Sequence, residues 1–311
     1  MFRYFASPLV ISGIVFAGIA GAPGYVSEAK AFGLCTPDDQ LLENIYGGGD
    51  KGVANTFAVG AHVGTLDFDD PFIDENSDFF KAYGSYGFSL YDTHVLQLNV
   101  FGGTLDDPSD EIDTLGGSVQ LGIKQPFSTG SHIFDFGYEQ TRYDTFSSND
   151  RDLYWIGGQG KCYTNEITVG ASIGFANIDF DNNFLEDIDS LYYSGDLFRY
   201  INPYTRFGLG FDAGIFDISS SGSSQGANVF RIGAGIDWQI TPEQPIIFSV
   251  GVGQSTINSN SPGNRFEVTD FKVGVKFFNL DGASDRTPSL QEYDVRGINF
   301  YHKPRALELF R

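Results

Sequence analysis

A period-two alternation of large apolar residues with small or charged ones constrains this chain more than any other feature. In RFGLGFDAGIF, residues 206 to 216, Phe207, Leu209, Phe211, Ala213 and Ile215 share one face, while Arg206, Gly208, Gly210, Asp212 and Gly214 share the other. The glycine spacing is GxGxxxG and no helical period follows, whereas a dinucleotide cradle needs GxGxxG between a strand and a helix. The stretch is therefore read as a strand, and no cofactor is expected. The same alternation recurs in TFAVGAHVG (56–64), LGGSVQLGIK (115–124), EITVGASIGF (166–175), NVFRIGAGIDWQI (228–240), IIFSVGVGQS (246–255) and TDFKVGVKFF (269–278). It is softer in FFKAYGSYGFSL (79–90), HVLQLNVFGG (94–103), HIFDFGYEQTRY (132–143), DLYWIGGQGK (152–161) and SLYYSGDLFRY (190–200). With the first stretch, these segments predict twelve strands.

The intervening segments alternate too. Short links fall near residues 91–93, 127–131, 162–165, 201–203 and 241–245, and long polar loops are expected at 67–78, 106–113, 144–150, 179–189, 219–226 and 258–265. In an up-and-down barrel successive turns emerge at opposite rims, so the short links share one rim and the long loops the other. The expectation is an all-β, antiparallel, up-and-down transmembrane β-barrel of about 12 strands spanning residues 53–278. A closed barrel satisfies its backbone hydrogen bonds internally, which lets strands cross a bilayer. The apolar face is assigned to lipid and the other face to the lumen, with Gln97, Asn99, Lys124, Arg206, Gly208, Gly210, Asp212, Arg231 and Asp237 as lumen-lining residues. Asp212 with Arg231, and Arg206 with Asp237, are expected to lie diagonally across neighbouring strands and to brace the wall, the alternative being a transverse field at a constriction. Tyr86, Phe88, Tyr192, Tyr193, Phe230, Trp238, Phe277 and Phe278 are candidates for interfacial aromatic girdles.

Ahead of this region, Arg3, an apolar run from about Pro8 to Ala22 and Ala29-Lys30-Ala31 read as a secretory signal over residues 1–31, cut after Ala31. Residues 32–52 are then a short periplasmic segment. Signal, alternating strands and the final strand TDFKVGVKFF, with Phe271, Val273, Val275 and Phe277, together resemble Gram-negative outer-membrane β-barrels, whose last strand ends in an aromatic recognised during assembly. The resemblance implies an outer-membrane location, with membrane lipids and the barrel assembly machinery as partners, and a porin-like function. In this chain 33 residues (279–311) follow that aromatic, and they are expected to form a periplasmic extension or a lumen plug; a strand from Tyr293 to Tyr301 would break the usual even count.

Acidic residues concentrate at one expected rim. They are Asp67, Asp69, Asp70, Asp74, Glu75 and Asp78; Asp106, Asp107, Asp110, Glu111 and Asp113; and Asp179, Asp181, Glu186, Asp187 and Asp189. Such carboxylates are read first as a solvated surface, and divalent cations are the metal partners they suit. No EF-hand is present, because Phe184 and Ser190 stand where its loop needs glycine and glutamate. With 19 Lys plus Arg against 40 Asp plus Glu, nucleic acid is not an expected partner. His62, His94, His132 and His302 lack metal-site spacing and GxSxG is absent, so no enzyme is expected. Cys35 and Cys162 both fall on the periplasmic side and are expected to form a disulfide. The pattern carries no signal for an oligomeric state. The functional expectation is passive passage of small hydrophilic solutes with a modest cation preference set by the acidic rim; the alternative is a non-conducting structural or surface-interaction barrel.

Overall fold

The computed structural model describes residues 54–70, 73–91, 94–107, 110–124, 130–144, 150–180, 185–220, 223–259, 265–280 and 287–296. The proposed signal, the segment with Cys35 and residues 297–311 lie outside these. Twelve strands follow in order: β1 (Thr56–Asp70), β2 (Ile73–Tyr91), β3 (His94–Asp107), β4 (Asp110–Lys124), β5 (Gly130–Tyr143), β6 (Arg151–Tyr163), β7 (Ile167–Phe180), β8 (Leu185–Asn202), β9 (Thr205–Ser220), β10 (Ser223–Gln239), β11 (Ile246–Ser259) and β12 (Arg265–Leu280). Each pairs antiparallel with its sequence neighbours, and β1 pairs with β12 to close the barrel. After β12 the described residues hold a short helix, α1 (Leu290–Arg296). It takes up residues 293–296 of the stretch weighed as a thirteenth strand, and residues 297–301 of that stretch lie outside the described residues.

The outward face carries a band of exposed apolar side chains, including Val100 (65% exposed), Leu115 (70%), Ile156 (61%) and Phe175 (60%). A band of this kind belongs against lipid. Toward the short-turn end it finishes in outward aromatic pairs: Phe57 with Phe277, Tyr86 with Phe88, and Trp238 stacked on Phe248. Two girdle candidates are corrected, for Tyr192 (4% exposed) and Phe278 (0%) point into the barrel.

The expected long loops are corrected as well. The strands run on through most of the acidic stretches, so that β1 ends only at Asp70 and β2 begins at Ile73, and β3 ends at Asp107 with β4 beginning at Asp110. The alternation continues there with its sense inverted. On β7, Ile173 and Phe175 face outward within the apolar band, but further along Asn177 and Asp179 face outward while Ile178 is buried inside. Asp189 and Asp217 likewise face outward as register partners, with buried Ile188 and Phe216 turned inward. The reason is the solvent: a strand inside the bilayer shows apolar side chains outward, and the same strand in water turns them inward. The barrel therefore has a lipid-facing half and a water-facing half with an apolar core of its own.

Candidate functional site

That apolar core corrects the expectation of a uniformly polar lumen. Phe101, Leu153, Trp155, Ala176, Ile178, Ile188, Tyr192, Phe216, Ala227 and Val229 form one buried cluster from β3 and β6 through β10, joined by Tyr83 of β2 and Ile257 of β11. Phe101 and Trp155 reach each other from β3 and β6 with ring centroids 6.2 Å apart. Trp155 donates its Nε1–H to Asp135 at 2.9 Å, which satisfies the one polar group of the indole. Gly137 makes this placement possible, since a Cβ there would overlap the indole ring. This layer caps the lumen on the side of the acidic strand ends.

Helix α1 lies against the opposite end. Ser289 caps it by accepting the Glu292 N–H, and Leu290, Tyr293, Asp294 and Val295 are buried. Its segment is tied to three short-turn connections: the Gln291 N–H donates to the Pro203 carbonyl at 3.0 Å, Gln291 Nε2 to the Asn165 carbonyl at 2.8 Å, and Thr287 Oγ1 to the Glu243 carbonyl at 2.8 Å. Tyr293 packs on Phe278 with centroids 4.6 Å apart, and Lys276 Nζ lies 5.0 Å from its ring centroid. Burial holds the Tyr293 hydroxyl well above its usual range, so it remains neutral. Asp294 accepts hydrogen bonds from the Tyr200 hydroxyl and the Arg206 guanidinium.

Between cap and helix lies a cavity of about 300 Å3 within the lipid-facing half. Gly208, Gly210, Gly233, Gly235, Gly251 and Gly274 supply much of one wall, and Lys161, Arg206, Arg231, Lys272 and Lys276 line it together with Asp196 and Asp237. Arg206 is held by Asp237 at 2.8 Å and by Asp294. Arg231 makes a two-pronged contact with Asp270, Nε and Nη2 donating at 3.0 and 2.8 Å, and its Nη1 is 3.5 Å from Asp212 Oδ2. The register places Asp212 directly opposite Arg231, and Asp237 directly opposite Arg206, which corrects the expected diagonal arrangement. Gln97 and Asn99 are buried in the lumen, Gln97 donating to Asn99 at 2.8 Å and Asn99 to Ser118 at 2.9 Å. Lys124 ends β4, opposite Ser131 in register.

Among the acidic residues, Asp67, Asp78, Asp106, Glu111, Asp113, Asp179, Asp187 and Asp189 are exposed on the outer face of strand ends, while Asp110 is only partly exposed. Asp69, Asp70, Asp74, Glu75, Asp107 and Glu186 belong to the same strand ends, and Asp181 lies outside the described residues. The eight exposed carboxylates thus form an outer collar carried on strands, and no group of three or more metal-ligating side chains occurs among the described residues. Cys162, at the end of β6, is disulfide-bonded, and Cys35 is the chain's other cysteine.

Several site residues escaped the sequence reading. Lys272 and Lys276 stand on the polar side of the alternation in TDFKVGVKFF, so the rule that found Arg206 and Arg231 also reaches them. Asp294 lies in a segment with no alternation to read.

Closure, an outward apolar band and a polar membrane-level lumen define the class: a β-barrel of the Gram-negative outer-membrane kind. No protein-family model matches the chain, and no curated protein matches it. Among solved structures it is similar to the translocator domain of the autotransporter NalP from Neisseria meningitidis, at 13% identity over 77% of this chain and 94% of that one, with a TM-score of 0.42. An outer membrane channel from Pseudomonas putida F1 matches at 12% identity over 75% and 98% of the two chains, with a TM-score of 0.48. The outer membrane protein OmpT of Vibrio cholerae, in its trimer form, matches at 10% identity over 74% and 100%, with a TM-score of 0.38. At these scores none of them bears on what this chain does.

Proposed function

We propose that this protein is an outer-membrane passage for small hydrophilic solutes that is closed at rest, and not an enzyme. The observation that carries the reading is the polar cavity of about 300 Å3 at membrane level, set between α1 and the apolar cap. A barrel serving only as a wall has no need of a glycine-lined space at its centre, because side chains can fill it. Solute entering from the short-turn side displaces α1, and complete crossing also parts the cap, a hydrophobic constriction of the kind that gates by excluding water. The modest cation preference expected from the acidic rim loses its basis, because eight of those carboxylates lie exposed on the outer face while lysines and arginines line the cavity.

The cap itself favours the second reading, a non-conducting barrel, since its side chains come from strands around most of the circumference. Planar-bilayer conductance separates the two. The full chain is expected to be nearly silent, and a chain ending at Leu280 to remain low because the cap is intact. The same truncation with Trp155→Ala and Phe216→Ala is expected to conduct. Silence of all three, each shown to be folded and inserted, supports the non-conducting barrel.

A further inference from the structure

We infer that the central cavity is a binding site for a small organic or inorganic oxyanion, bearing carboxylate or phosphate groups. The inference rests on the passage reading for its biological sense and names the solute class. The chain carries a formal net charge of -21, yet its cavity wall presents five cationic side chains and two carboxylates. Asp212, Asp270 and Asp294 balance much of this charge, but none of the three lines the cavity; they grip the two arginines. A large net field is therefore not the source of recognition. Its source is directed donors held in place beforehand.

Arg231 shows this most clearly. Asp270 occupies Nε and Nη2, the side chain is 6% exposed, and Nη1 makes no hydrogen bond among the described residues. Nη1 has only the long ion-pair contact with Asp212, at 3.5 Å, and a better-placed oxyanion improves on it. A guanidinium already oriented by a carboxylate loses little freedom on gripping a second planar or tetrahedral anion. Lys272 and Lys276 of β12 extend the cavity's cationic lining, and the missing Cβ atoms of Gly233 and Gly251 make way for the Arg231 guanidinium and the Lys272 side chain. The volume matches the lower end of small-molecule sites.

Isothermal titration of the full chain in detergent micelles, at fixed ionic strength, tests this with inorganic phosphate and citrate against glucose and spermidine as probes. Saturable binding of phosphate or citrate is expected, weakened by at least about tenfold in Lys272→Gln and Lys276→Gln. Arg231→Gln is expected to abolish it, and the lysine variants keep the test decisive if loss of Arg231 prevents folding. Absence of saturable anion binding, preferential binding of spermidine or glucose, or anion binding unchanged in both lysine variants overturns the inference. Anion binding in a barrel that never conducts retains the site and removes the passage; conduction without anion binding does the reverse.

Discussion

Trp155 stands where the polar and apolar parts of the lumen meet, and it is 2% exposed. Trp155→Ala is expected to cost about 3–5 kcal/mol, the usual range for emptying a large aromatic site, as read by denaturant unfolding from micelles. Gly137→Val tests the same contact from the other side: with the tryptophan retained, the indole must shift, and a red-shifted fluorescence component is expected. An unshifted spectrum contradicts the packing. Asp294→Asn removes the charge that faces Arg206, which keeps Asp237, so α1 is expected to loosen while the barrel remains folded. A spin label at residue 291 that gains no mobility counts against that anchor. At this scale the inward Arg206, Asp212, Arg231 and Asp237 were legible from alternation alone. Their direct opposition was not, because register depends on where each strand turns. Asp294 was invisible for a different reason: it meets Arg206 across 88 positions of chain, with no local pattern to mark it.

At the scale of the strand, the informative event is the inversion of the alternation along β7, β8 and β9. A charge has opposite consequences on its two sides, even on one face of one strand. Leu197, 42% exposed on the outer face of β8, lies in the lipid band, and Leu197→Arg is expected to cost about 2–4 kcal/mol near the bilayer midplane. Asp187, on the same face beyond the band, is expected to tolerate arginine within about 0.5 kcal/mol, since it is a solvated position opposite another aspartate, Asp179. Reversible unfolding into and out of lipid vesicles measures both. All twelve strands were readable in sequence, because a period of two survives any exchange of solvent. Their length was underestimated, because runs of aspartate resemble loops when the inward partners Ile178, Ile188 and Phe216 are not read alongside them.

For the whole molecule, the central claim is that one continuous barrel wall holds a polar cavity at membrane level and an apolar plug of its own side chains above it. The architecture followed from sequence; the closure did not, since it depends on side chains brought together from strands far apart in the chain and on a helix lodged by long-range hydrogen bonds. A nitroxide scan along β9 measures the claim directly. Labels at 207, 209 and 215 should respond to oxygen as lipid-facing sites and a label at 217 should not. Within the lumen, a water-soluble quencher should reach 208 and 210 more readily once α1 is removed, while 216 and 218 stay protected. Quenching at 216 and 218 as strong as at 208 and 210 would mean that water runs through to the acidic rim, and the closed barrel described here would be wrong.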